Sequence, residues 1–314
     1  MLSKNPIILY MKNPDPIFYG MMDDLVIETL RKQNTTIIVT ELEELSVIIG
    51  REFIFLRNGE QIQFDAFLGY GYMAPKHYMD YMYLNFAVYS AGKTTLYSPQ
   101  IENILQNKLL QYAKFSQSQI PFPRCSASFS VQQFKKNLSQ FENKTIMKEV
   151  VGYEGTGVKL SNNKIQSTEI FCKSLWNGEQ TIIQDFISDS LGRSIRVLVI
   201  GGKAVSVTEF QDNIDFKSNG YSDDFKIESK MESQKKEEYF RLAEKACSAI
   251  DSQLTIGGVD IIDSKKDGLM VLEINQWPEI TFSQDVTGLP LFDYFGQEFI
   301  RKIIKNNKQK PQLI

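Results

Sequence analysis

Residues 257–280, Gly-Gly-Val-Asp-Ile-Ile-Asp-Ser-Lys-Lys-Asp-Gly-Leu-Met-Val-Leu-Glu-Ile-Asn-Gln-Trp-Pro-Glu-Ile, carry a pattern suited to holding a cation. They predict two short strands, Gly258–Asp263 and Leu269–Asn275, joined by a turn rich in Lys, Asp and Gly. Side chains alternate across a strand, so Glu273 and Asn275 share one face, and antiparallel pairing lets Asp260 join them. Oxygen donors without Cys or His suit a hard cation, and a small carboxylate count with room for phosphate oxygens suits Mg²⁺. The alternative for the same residues is a solvated edge hairpin whose acids face water.

Two further places have chemistry-bearing residues in unusual settings. Lys148 stands inside the apolar strand 145–150 and runs into Gly152-Tyr153-Glu154-Gly155-Thr156-Gly157, where backbone N–H groups can approach an anion closely. The competing reading is an exposed strand lysine before an ordinary glycine turn. Arg196 interrupts the apolar run Ile195–Ile200, where a guanidinium is costly unless it meets an anion, either a structural carboxylate or a ligand. Gly92-Lys93-Thr94 mimics the end of a phosphate-binding P-loop, but Ala87 occupies the place of the required glycine. A single His77 excludes multi-histidine metal sites and argues against a histidine-based triad.

The elements that must position these residues are legible in outline. A buried-type strand at 6–10, a helix over 20–33 and a strand at 36–40 open the chain as β-α-β, followed by a hairpin over 53–64 turning at Asn58-Gly59 and a short strand at 65–69. No Gly-x-Gly-x-x-Gly follows the first strand, so a dinucleotide site is not expected. Residues 70–91, with Tyr70, Tyr72, Met73, Tyr78, Tyr81, Tyr83 and Phe86, read as a helix packed through its aromatic stripe, or as a wall of a substrate groove. A helix over Leu105–Gln117, strands at 180–187, 194–200 and 204–210, a polar mobile loop over 211–232, an amphipathic helix at 234–250, a polar loop to Gly288 and a last helix over 292–306 complete the pass.

Bulk properties set the limits. A chain of 314 residues, 42% hydrophobic and 23% charged, suits a globular protein of two or three domains. A net charge of −3 excludes a bulk basic field for nucleic acid or anionic lipid, and the Lys-rich stretch 301–310 reads as a solvated helix end. Cys125, Cys172 and Cys247 are odd in number and far apart, which fits a reducing, cytoplasmic setting. No membrane span or signal peptide is expected.

Taken in order, the strand lysine, the glycine loop, Gln184-Asp185-Phe186-Ile187, Ser194-Ile195-Arg196, Asp215-Phe216-Lys217-Ser218-Asn219 and Val259-Asp260…Glu273-Ile274-Asn275 resemble the ATP-grasp carboxylate–amine ligases. Within them the order most resembles the RimK-like glutamate ligases and their peptide-crosslinking (graspetide-type) relatives, over roughly residues 97–305. The resemblance implies an α/β (α+β) chain with the ATP-grasp fold: an N-terminal α/β pre-ATP-grasp domain over 1–97, a central lid subdomain over 98–187, and a C-terminal antiparallel-sheet subdomain over 188–314.

It also implies roles. Lys108 and Lys148 would bind ATP phosphates under a loop carrying Gly152, Gly155 and Gly157. Backbone groups at Asp185 and Phe186 would read adenine in a hinge, and Gln184 is among the nucleotide-binding residues. Ser194 stands where the family usually has an Asp that helps hold nucleotide. Arg196 would stabilise an acyl phosphate, and Lys217, Ser218 and Asn219 correspond to an Arg-Ser-Asn segment near the phosphates, with Lys217 also in a catalytic role. Asp260, Glu273 and Asn275 would bind Mg²⁺, as two ions, with Mn²⁺ an alternative. Lys217 for Arg loses bidentate geometry, and Pro278-Glu279 replaces the usual Pro-Gly beside Trp277. The implied reaction is ATP-dependent amide formation between a carboxylate and an amine (or hydroxyl) acceptor, such as an amino acid joined to a peptide, protein or small molecule. The alternatives are a macrocyclase acting on a precursor peptide and a non-catalytic ATP-binding regulator. A homo-oligomer, dimer or tetramer, is expected by analogy, with no nucleic-acid or membrane partner.

Overall fold

A computed structural model describes residues 5–13, 16–69, 75–152, 155, 157–213, 216–217, 225–229 and 232–309. In chain order the elements are β1 (Ile7–Met11), α1 (Pro16–Arg31), β2 (Thr36–Thr40), β3 (Leu45–Ile49), β4 (Phe53–Arg57), β5 (Glu60–Gln61), β6 (Ala66–Gly69), α2 (Pro75–Ser90), β7 (Thr94–Thr95), α3 (Pro99–Gln106), α4 (Lys108–Gln117) and β8 (Cys125–Ala127). They continue with α5 (Val131–Leu138), β9 (Thr145–Glu149), β10 (Lys159–Ser161), α6 (Lys164–Trp176), β11 (Thr181–Asp185), β12 (Arg193–Ile200), β13 (Lys203–Asp212), β14 (Phe225–Glu228), α7 (Ser233–Ile250), β15 (Ile256–Ser264), β16 (Gly268–Asn275), α8 (Thr281–Thr287) and α9 (Leu291–Gln309). Among the described residues no helix is long and apolar enough to cross a membrane.

The chain forms two compact units. One comprises Met1–Glu102, Gln253–Ile256 and Trp277–Ile314. Its main sheet, ordered β2-β1-β6-β7, is parallel throughout. As an inner strand, β1 has nearly every side chain buried, which is why it reads as an unbroken apolar run. Tyr81 of α2 packs on Phe67 of β6 with ring centres 5.8 Å apart, and Trp277 meets Tyr81 edge-on at 5.6 Å. The aromatic helix is therefore divided: Tyr81, Leu84 and Val88 are core, while Met79, Tyr83, Phe86 and Tyr89 are exposed. Tyr70, Tyr72 and Met73 of that stretch lie outside the described residues. Helix α9 packs on α1, and Gly296 is where they touch, since a Cβ there would fall 2.6 Å from Thr29 Cγ2. Lys93, of the P-loop mimic, donates to the Phe64 carbonyl at 2.6 Å and lies over the Phe64 ring.

The other unit comprises Asn103–Ser252 and Gly257–Gln276. It contains an antiparallel sheet ordered β10-β9-β11-β8 and a five-stranded sheet ordered β14-β13-β12-β15-β16. Helices α5 and α6 cover one face of the first sheet, where Phe134 and Phe171 stack with centres 4.2 Å apart above Met147 and Ile183. Strand alternation then sends Lys148 and Gln184 to the opposite face. Helix α7 packs on β12, β13 and β16 through Tyr239, Ala243 and Ala246, and Tyr239 donates to Asp263 at 2.7 Å.

Several boundaries differ from expectation for physical reasons. The helix expected over Leu105–Gln117 is two helices, because Asn107 takes an extended backbone and its side chain caps α4 by accepting from the Leu110 N–H at 3.1 Å. The polar loop expected before Gly288 contains α8, which ends on Gly288 at φ +70°. The loop expected over 211–232 contains β14, paired with β13, and the rest of it falls largely outside the described residues.

Candidate active site

The expected cation-binding hairpin forms within the second unit as β15 and β16. Asp260 sits directly across from Glu273, beside a bulge between Asp260 and Ile261, and Asn275 lies opposite Gly258. Asn275 Nδ2 donates to Asp260 Oδ2 at 2.9 Å. The hairpin turn is pinned by Asp189, whose carboxylate accepts from Ser264 Oγ at 3.1 Å and from the Lys265 and Lys266 N–H groups at 2.7 and 3.2 Å.

Three cations converge on this hairpin. Arg196, the arginine within an apolar strand, forks onto Asp260 with Nε–Oδ1 at 2.7 Å and a second N–H at 2.8 Å to Oδ2. Lys108, the first residue of α4, is buried, donates to the Gly152 carbonyl at 2.7 Å and lies 3.3 Å from Glu273 Oε2. Lys148 is buried on β9 and feels the charges of Glu273 and Lys108. Burial pushes its ammonium down to about 8, against the pull of Glu273, while the Lys108 charge adds to the depression. Burial by itself would raise the Glu273 carboxyl, but Lys108 and Lys148 outweigh it and hold the group below its ordinary range. Three cations against two carboxylates leave an excess of positive charge suited to an anion.

Helix α4 grips β16 with side chains that sequence reasoning missed. Gln111 acts as a short piece of edge strand: its Oε1 accepts from the Ile274 N–H at 2.7 Å, and its Nε2 donates to the Ile274 carbonyl at 3.1 Å. Ile274 is the residue between Glu273 and Asn275. Tyr112 donates from its hydroxyl to the Leu272 carbonyl at 2.8 Å and accepts from Gln184 Nε2 at 3.0 Å. The available signal was the buried stripe Lys108, Gln111, Tyr112, Phe115, a helical face with two polar residues where apolar ones are usual.

The remaining candidates are distributed as follows. The side chain of Gln184 serves Tyr112 and the Pro123 carbonyl, and the Asp185 N–H donates to the Arg124 carbonyl at 2.9 Å while its carboxylate takes the Arg124 fork. Phe186, half-buried, follows β11. Ser194 sits in β12 opposite Phe210. Lys217 lies with its ammonium over the Phe216 ring, and Ser218 and Asn219 lie outside the described residues. In the glycine loop, Tyr153, Glu154 and Thr156 lie outside them too, Gly155 has φ +67°, and Gly157 lies against Glu149, where a Cβ would come within 2.7 Å of both carboxylate oxygens.

Among the described residues no three His, Cys, Asp or Glu side chains gather as a metal-binding group. A divalent ion at the hairpin would therefore take two carboxylates and the Asn275 carboxamide, an all-oxygen set that fits Mg²⁺ with its remaining positions filled by phosphate or water. Asp260 Oδ2 accepts from both Arg196 and Asn275, while Oδ1 has a second lone pair beyond its bond to Arg196, and the Asn275 Oδ1 lone pairs point to a ligand role while its Nδ2 is engaged.

Comparison with known proteins accords with this geometry. The chain is 28% identical over 183 residues to a probable alpha-L-glutamate ligase of Haemophilus ducreyi, a match over 56% of this chain and 57% of the relative. The chain thus spans little more than half the length of the curated relatives it matches. Its fold is similar to that of the ATP-grasp ligase PsnB in complex with a phosphomimetic variant of its minimal precursor, Mg and ADP, with a TM-score of 0.69 at 18% identity over 94% of this chain and 98% of that one. It is similar as well to D-alanyl-alanine synthetase A of Vibrio cholerae, with a TM-score of 0.73 at 12% identity over 97% and 100% of the two chains. The family model for the RimK-like ATP-grasp domain matches residues 105–292, more than half of the chain, and the chain belongs to that family.

Proposed function

We propose that this chain is an ATP-dependent carboxylate–amine ligase that forms an amide bond through an acyl phosphate. The observation that carries the reading is the convergence of Lys108, Lys148 and Arg196 on Asp260 and Glu273, with Lys108 also bonded to the Gly152 carbonyl. In the first step a substrate carboxylate oxygen bonds to the γ-phosphorus of ATP as the bond to the departing ADP oxygen breaks. In the second, an amine attacks the acyl carbon, phosphate departs, and the nitrogen loses a proton. Lys108 and Lys148 supply fixed positive charge for the transferring phosphoryl group, and Arg196, already locked by its fork to Asp260, is preorganised to stabilise the developing oxyanion. Asp260, Glu273 and Asn275 would hold Mg²⁺, which when bound neutralises charge on phosphate oxygens.

The acceptor we infer is a peptide or protein to which an amino acid is added. Likeness along nearly the whole chain to PsnB complexed with a precursor peptide, and to the macrocyclase MdnC bound with its precursor peptide, also supports a macrocyclase that joins side chains within one peptide. The three free cysteines support a reducing, cytoplasmic setting. The test is an ADP-release screen against amino acids and peptides. Release should require both a carboxylate and an amine, and should fall on the order of 10²–10³-fold in Glu273→Gln and in Arg196→Ala. Release that survives both substitutions would refute the assignment.

A further inference from the structure

Strand β16 is an edge of its sheet, and its register is irregular where it carries Glu273. Asp260 pairs with Glu273 and Ile261 with Val271, so Leu272 is an extra residue with no partner across the ladder. This bulge sends Glu273 to the polar face while Val271, two residues away, is buried on the other. A bulged edge strand has backbone groups that its own sheet cannot satisfy, so they must find partners beside it. They find them in the helix and loop alongside. The Val271 N–H donates to the Pro121 carbonyl at 2.8 Å, Gln111 clamps Ile274, and the carbonyl of the bulged Leu272 accepts from the Tyr112 hydroxyl at 2.8 Å.

Tyr112 also reaches a second strand. Its ring is buried and stacked on Phe122, with centres 5.1 Å apart and planes 3° from parallel, and its hydroxyl accepts from Gln184 Nε2 at 3.0 Å. A phenol has one proton, and here it goes to Leu272. The bonds therefore run in one direction, from the Gln184 amide through the Tyr112 hydroxyl to the Leu272 carbonyl. Gln184 is itself buried on β11, directly before Asp185 and Phe186, and its amide donates to the Pro123 carbonyl at 3.3 Å as well.

We propose that Tyr112 is a positioning residue that couples the base end of the nucleotide site to its cation end. The inference rests on the reading of the chain as an ATP-dependent ligase, with adenine at Asp185 and Phe186 and a divalent cation at Glu273. A base seated on β11 restricts Gln184, Gln184 restricts the Tyr112 hydroxyl, and the hydroxyl restricts the bulge that aims Glu273. The cation then meets a carboxylate already in place, and less of its binding energy goes into ordering the strand. Linkage makes the effect reciprocal: a bound cation tightens the base by the same factor.

Adenosine and Mn²⁺ test this on the full chain. Adenosine has no phosphate with which to touch the cation, so any effect of one ligand on the other passes through the protein. Mn²⁺ affinity, followed by electron paramagnetic resonance, should tighten about fivefold or more at saturating adenosine. Adenosine affinity, followed by calorimetry, should tighten by the same factor at saturating Mn²⁺. Tyr112→Phe keeps the ring on Phe122 and removes only the hydroxyl, so both ligands should still bind while the factor falls to about one. Asn107→Ala weakens the same helix through its cap without touching these bonds, and should keep the wild-type factor, which separates a lost link from a merely loosened fold. A wild-type chain that binds the two ligands independently, a Tyr112→Phe chain that keeps the wild-type factor, or an Asn107→Ala chain that loses it would each overturn the proposal. A wild-type chain that binds neither adenosine nor Mn²⁺ would sink the ligase reading, and this coupling with it.

Discussion

Glu102, in the first turn of α3, is fully buried, and neither of its carboxylate oxygens has a hydrogen-bond partner among the described residues. Burial pushes its carboxyl from the ordinary 4.5 up to about 8, and the nearby Lys302 ammonium only partly offsets this. Tyr78 and Tyr81, which face the same charge, have their hydroxyls pushed upward as well, chiefly by burial. Below pH 4.5 the acid is protonated in both folded and unfolded chains, and its neutral form is fully compatible with burial. Between 4.5 and about 8 the unfolded chain gives up the proton while the folded chain keeps it, so stability falls as pH rises, by about 1.4 kcal/mol per unit. By pH 7 the loss amounts to about 3 kcal/mol, a large part of the margin of an ordinary domain. Glu102→Gln has nothing to ionise. Urea unfolding of both proteins at pH 5, 6, 7 and 8 should show the variant gaining on the wild type at each step, with near-equal stabilities at pH 5. A difference between the two that stays constant from pH 5 to 8 would show that Glu102 is solvated or paired when folded, and the reasoning from burial would fail.

Two other outcomes follow from the site's supports. Gln111→Leu strips the Ile274 N–H and carbonyl of their partners, and should cost about 2–3 kcal/mol in urea unfolding and weaken Mn²⁺ binding, followed by electron paramagnetic resonance, about tenfold; unchanged Mn²⁺ affinity would mean that α4 does not position the hairpin. Asn107→Ala removes the α4 cap and should lower stability by about 1 kcal/mol in thermal unfolding, with no change expected if the break between α3 and α4 is set by packing alone.

What was legible in the chain alone was what depends on short-range periodicity. The two-residue repeat of β16 placed Glu273 and Asn275 on one face before any partner was known, and the antiparallel hairpin brought Asp260 across from Glu273. Arg196 among aliphatic residues demanded an anion, and Asp260 is that anion, though nothing local could choose between a carboxylate 64 residues away and a ligand. Helix α6 went unrecognised because it turns Ser167 and Ser174 inward beside Phe171 and sends Ile165 and Trp176 outward, so its apolar pattern marks no single side. Tertiary structure alone decided the contacts of α4 with β16: the Lys108–Glu273 pair and the Gln111 clamp join residues more than 160 positions apart. Alternation and capping are properties of neighbouring residues, and a sequence states them directly. A buried lysine or glutamine states only that it needs a partner, and folding determines which one it meets.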